Sequence, residues 1–131
     1  MGYFDQYINE EEPAFSVVIE DDDKVCYAYL LEGDQIVSDV WLYNSIETPE
    51  SVDWSNKEDL PFVNPKVFVK KNIPPFDEST HVDVRWGVNN GKIYAELYSS
   101  DTLLVRLEVG ALPGWSTLVE KDSPLALVYR V

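Results

Sequence analysis

The chain has 131 residues, a size suited to one domain with no composition break, and its 45% hydrophobic content with four Trp, eight Tyr and five Phe can fill a packed core. Ten Lys and Arg against 24 Asp and Glu leave a net charge of −14. A field of that sign repels phosphate backbones and anionic lipid surfaces, which argues against nucleic-acid and membrane partners. No apolar run reaches the roughly 18 residues of a membrane span, and residues 1–12 carry neither a basic segment nor an apolar signal core. Cys26 is the only cysteine, so an intrachain disulfide is excluded. A single domain over 1–131, in a reducing cytoplasm, is the expectation.

In chain order, Gly2 follows Met1 as in a myristoylation signal, but Gln6 stands where that motif needs Ser or Thr. Tyr3 with Tyr7 and Phe4 with Ile8 have i, i+4 spacing, which predicts one helical turn packed over a sheet before Pro13. Phe15, Val17 and Ile19 then alternate with polar residues, and Asp21, Asp22 and Asp23 form a solvated turn. That acidic trio lacks the ligand spacing of a calcium loop. Val25, Tyr27, Tyr29 and Leu31 are expected to continue the face of Val17. A turn at Gly33-Asp34 then sets Ile36, Val40 and Leu42 opposite Leu31, Tyr27 and Val25. The other face, with Val18, Cys26, Ala28, Leu30, Val37 and Trp41, is also apolar, so this sheet is expected to be covered on both sides. Cys26 reads as an inert core thiol. Asp39, placed opposite Ala28, reads as an edge residue open to water.

From Asn44 to Pro65, prolines, serines and acids mark a connection, with Ser55 and Glu58 matching a capping box in a segment too short and polar for a sure helix. Lys66 to Lys71 reads as a short strand and Asn72 to Thr80 as a linker. Asn90-Gly91 is the strongest local signal, because both central positions of a type I′ turn need positive φ. Pairing Asn89 with Lys92 sets Val88 opposite Ile93, Trp86 opposite Ala95 and Val84 opposite Leu97 on one face, which assigns Trp86 to the core. The other face pairs Arg85 with Glu96 and Asp83 with Tyr98. A third strand, Thr102 to Val109, turns Leu103, Val105, Leu107 and Val109 to the same core through an odd loop at Ser99-Ser100-Asp101. Leu118-Val119 and Leu125 to Val131 complete the strands. The fold class is therefore all-β and mainly antiparallel, a β-sandwich of two meanders with a closed barrel as the alternative and at most short helical turns.

No phosphate-binding glycine loop, paired-cysteine metal motif or nucleophile elbow occurs, so no cofactor and no metal are called for. His81, Asp83 and Arg85, with Glu96 and Tyr98 opposite and Tyr94 and Arg106 nearby, form a polar stripe that admits an enzyme reading, although a solvated sheet face accounts for it more simply. Trp54 and Trp115 lie in loop-like contexts, where an exposed indole can anchor a partner or a sugar ring. The segment Glu47 to Asp59 surrounds Trp54 with Glu50, Asp53, Glu58 and Asp59 against the single cation Lys57. Trp54, Asp53, Glu50, Glu58, Asp59, Tyr94, Tyr98 and Trp115 are thus the expected binding residues. The expected function is non-enzymatic binding of a basic protein partner, as by an inhibitor or immunity-type protein. The alternative is a small-ligand cavity lined by Tyr27, Tyr29 and Trp86.

Overall fold

The computed structural model describes residues 3–45, 69–71, 73–77 and 79–129. Within them the chain forms β1 (Tyr3–Ile8), β2 (Phe15–Asp21), β3 (Val25–Glu32), β4 (Gln35–Asn44), β5 (Val82–Asn89), β6 (Lys92–Ser99), β7 (Thr102–Glu108), β8 (Trp115–Ser116) and β9 (Leu127–Val128). Strands β1 to β4 make one four-stranded sheet and β5 to β9 a five-stranded sheet, each in sequence order. All pairings are antiparallel except β8 with β9. The sheets pack face to face as a sandwich and do not close into a barrel.

The second sheet forms as its sequence dictates. Asn90 and Gly91 adopt positive φ, and the pairs Val88 with Ile93, Trp86 with Ala95 and Val84 with Leu97 are in the expected register. The next turn differs. Ser99 pairs directly with Thr102 across Ser100 and Asp101, both at positive φ, and a bulge at Leu97/Tyr98 then restores the phase that sets Leu97 against Val105 and Ala95 against Leu107. The extra residue, Leu104, is buried as well. An irregularity inside the strand thus does what an odd loop was expected to do.

In the first sheet three expectations are overturned. The N-terminal segment is not a helical turn but the edge strand β1, with Tyr3 and Tyr7 packed on the core and Phe4 and Ile8 exposed. The Asp21 turn pairs Asp21 with Cys26, which places Ala28 opposite Ile19 and Leu30 opposite Val17. This even-length connection inverts the expected face, because side chains alternate with period two. Cys26, Ala28 and Leu30 are fully buried with Val17 and Ile19, while Tyr27 and Tyr29 stack on the outer face with ring centroids 6.1 Å apart. Two bulges between β3 and β4 change the partners further. Trp41 faces Tyr27, Val40 faces Ala28 and Asn44 faces Val25, and the run Val40–Tyr43 is buried without a break.

Asp21 is also not part of a solvated turn. It is buried and accepts bonds from Tyr43 Oη (2.8 Å), Ser45 Oγ (2.6 Å) and the Asp23 amide (2.9 Å). Tyr43 Oη in turn accepts from the Phe76 amide (2.9 Å), so a buried polar chain ties residues 73–76 to the first sheet. The Trp41 indole donates to Asn44 Oδ1 (2.9 Å). Burial pushes the Cys26 thiol far up, consistent with an inert core residue.

The sheets meet along one side through backbone bonds. Strand β4 ends its sheet, yet its edge is covered. Gly110 N donates to Val37 O (2.8 Å), Gly114 N to Asp39 O (2.6 Å) and Trp41 N to Leu125 O (3.0 Å). Gly114 sits where a Cβ would collide with the Arg106 carbonyl, so the strap passes too close for any side chain. Asp39 is therefore not open to water at a free edge. It faces Tyr29 rather than Ala28, is half-buried, and desolvation raises its carboxyl above the ordinary range.

At the far ends, Val69 bridges Val119 and the amides of Lys70 and Lys71 donate to Leu118 O (2.8 and 3.1 Å), while residues 66–68 of the expected strand lie outside the described residues. The C-terminal strand is shorter than its alternation implied, Leu127–Val128, and runs parallel to β8.

Candidate binding surfaces

Two regions outside the core gather chemistry. The first is the outer face of the second sheet, where β5 to β8 project Asp83, Arg85, Tyr94, Glu96, Tyr98, Arg106 and Trp115. The Arg85 guanidinium lies 4.0 Å from the centre of the Tyr98 ring and that of Arg106 3.9 Å from the centre of Tyr94. Arg106 also meets Glu96 (3.5 Å) and Glu108 (3.2 Å), and Arg85 meets Asp83 (3.4 Å). Asn89 Nδ2 donates to Glu108 (3.3 Å) and Tyr98 Oη to Glu96 (3.4 Å). A furrow of about 410 Å³ runs beside this network past Trp115, Leu127 and Tyr129. The expected binding residues Tyr94, Tyr98 and Trp115 are thus on one face, and Trp115 belongs to a strand rather than a loop, paired with Arg106. Acids and cations here neutralise one another, so the face carries little of the net charge.

His81 is exposed and precedes β5. No hydrogen bond among the described residues links it to Asp83 or Glu96, whose carboxylates engage Arg85 and Arg106. Within the stripe the described carboxylate ion pairs are thus with the arginines and not with His81. Among the described residues no cluster of His, Cys, Asp and Glu has the geometry to hold a metal ion. Tyr27 and Tyr29 lie on the outer face of the first sheet and Trp86 on the inner face of the second, so they do not surround a common cavity. Trp54, Asp53, Glu50, Glu58 and Asp59 lie outside the described residues.

The second region was not singled out in the sequence. Opposite the strapped side, the edge strands β1 and β5 border a cleft of about 620 Å³. Its apolar part comes from Ile8, Val84, Trp86, Val88 and Ile93, and its rim from Glu10, Glu11 and Glu12 in the β1–β2 connection. Trp86 is half-buried rather than enclosed, with part of its indole left at the cleft. Ile8 is 58% and Val88 64% exposed, which is high for aliphatic side chains and sets both at the mouth. Asn9 is buried and shapes the rim. Its Oδ1 accepts from the Glu11 and Glu12 amides (3.0 and 3.1 Å), and its own amide donates to Phe15 O (3.0 Å), holding the three glutamates on a fixed turn. Among the described residues no Lys or Arg lines the cleft. The signal available in the sequence was the triple glutamate two residues after Ile8, but its pairing with β5 depends on a contact across more than seventy positions.

Comparison with protein-family models, with curated proteins and with solved structures finds no match.

Proposed function

We infer that this chain is a non-enzymatic binding module that engages a basic protein partner, acting as an inhibitor or immunity-type protein would. The observation that carries the reading is the β1/β5 cleft. Apolar side chains, Trp86 among them, line it, and three fixed glutamates form its rim with no cation among the described lining residues. Such a surface combines an aromatic anchor with electrostatic attraction, the first supplying affinity and the second speeding encounter. The net charge of −14 adds long-range steering of the same sign. The acidic segment around Trp54, with Glu50, Asp53, Glu58 and Asp59, is a second contact on the strength of its composition.

The test is capture of partners on the immobilised chain at low and raised salt, with the wild type beside a Glu10→Gln/Glu11→Gln/Glu12→Gln variant. A basic protein retained by the wild type, released by salt and bound less well by the variant supports the reading. A partner that is acidic, or retained equally by both proteins at every salt concentration, refutes it.

A further inference from the structure

The two strands that border the cleft differ from the other side of the sandwich in what their backbones do. In the β5–β6 hairpin, Asn89 and Lys92 close a two-residue turn and so form a hydrogen-bonded pair; alternation then makes Gly87, Arg85 and Asp83 the residues bonded to β6. The amide and carbonyl groups of Val82, Val84, Trp86 and Val88 point the other way, out of the sheet. No described backbone group bonds to them. Among the described residues strand β5 thus has an unpaired edge eight residues long. It has no proline, no bulge in its pairing and no lysine, the devices that ordinarily discourage a further strand. Strand β4, by contrast, has its edge covered by the 110–114 strap and Leu125.

On this basis, and resting on the basic-partner reading above, we propose that β5 receives an extended segment of the partner as an added strand, in which every second residue faces the cleft and these include both apolar residues and Lys or Arg. Backbone bonds to Val84, Trp86 and Val88 supply sequence-independent affinity. Every second side chain of the added strand faces the cleft, where apolar groups meet Trp86 and Ile8 and basic groups at the rim meet Glu10, Glu11 and Glu12. A second copy of this chain is disfavoured at the same edge, because two bodies of charge −14 repel.

The probe is a short synthetic peptide with valine and lysine taking turns at every second position and threonine between them, used with two controls. One is the same peptide N-methylated at alternate residues, which removes the donors from one edge. The other is a lysine-leucine peptide of equal charge patterned as a helix. The extended peptide is expected to bind at least about ten-fold more tightly than either control. It should shift the amide resonances of Val82–Asn89 and bind about ten-fold less well to Val88→Pro. That substitution removes one outward amide and no β5–β6 bond, and circular dichroism checks that the fold is kept. If all three peptides bind alike, with binding weakened by salt and by the Glu10→Gln/Glu11→Gln/Glu12→Gln variant, strand addition is wrong and the basic-partner reading stands. If no basic peptide binds in a salt-sensitive way, that reading falls with it. A chain that dimerises by itself through a contact abolished in Val88→Pro assigns the edge to a second copy and overturns the proposal.

Discussion

The ring of Tyr94 occupies the space over Gly87, its cross-strand partner, where any Cβ would have to sit. The same ring carries the Arg106 guanidinium at 3.9 Å, so a residue with no side chain underlies the cation–aromatic contact of the outer face.

Gly87→Ala should therefore push Tyr94 off the sheet and loosen Arg106, at a cost of about 1 kcal/mol or more. In the Tyr94→Ala background the clash is gone, and the same change should be neutral or mildly stabilising, since alanine costs less entropy in a strand than glycine. Chemical denaturation of the four proteins gives the coupling directly. Equal effects in both backgrounds would mean that Tyr94 does not depend on Gly87.

At the tip of the central hairpin, Gly91 has φ +79° with no neighbour crowding it, so its requirement is conformational. Gly91→Val should lower stability by more than about 1 kcal/mol, the strain of a β-branched residue at positive φ. An unchanged denaturation midpoint would contradict the turn.

Removal of the Tyr43 hydroxyl strips one donor from the buried Asp21 carboxylate and the acceptor from the Phe76 amide. Tyr43→Phe should cost about 1–3 kcal/mol, with the loss of order greatest in residues 73–76 as read by hydrogen exchange. Phe76 packs edge-on against Tyr43 at 5.1 Å, a contact the phenylalanine retains, so the effect reports on the hydroxyl.

Asp39 gives a pH dependence. Desolvation raises its folded-state pKa above the unfolded value, so the native state holds the proton more tightly. Its contribution favours folding at low pH and is lost as the pH rises through the folded pKa. Asp39→Asn should accordingly raise the melting temperature at neutral pH, with the gain shrinking as the pH falls through the raised folded-state pKa and gone once the pH is below the ordinary carboxylate value. A gain independent of pH would point to packing instead of charge.

Trp54 divides two roles by measurement. Trp54→Ala in a surface contact weakens partner binding and leaves thermal stability unchanged, the outcome expected here, whereas loss of a core indole would cost about 3–5 kcal/mol.

How far the fold could be read depended on what set each register. Asn90-Gly91 specifies its own turn geometry, and the three apolar pairs that follow had one sensible alignment. The Asp21–Lys24 connection has no such residue pair, and both faces of β3 are apolar, so hydrophobic pattern did not choose between Tyr27 and Cys26 for the interior. The i, i+4 spacing of Tyr3 with Tyr7 also satisfies period two, and the strand won because β2 offered an unpaired edge. Bulges at Leu97 and in β3–β4 leave no mark in a binary pattern. The cleft was illegible for a different reason: Ile8, Glu10 and Trp86 become neighbours only when two edge strands, distant in sequence, are laid together by the packing of the sheets.

The sandwich resembles a book bound along one spine. On the β4 side three backbone bonds stitch the strap and Leu125 to the strand, while among the described residues none crosses from β1 to β5. Parting the covers at the β1–β5 margin breaks no backbone hydrogen bond among the described residues, whereas parting them at the spine breaks three. Among the described residues the margin is thus the more compliant side of the sandwich, while the binding holds the two sheets in register.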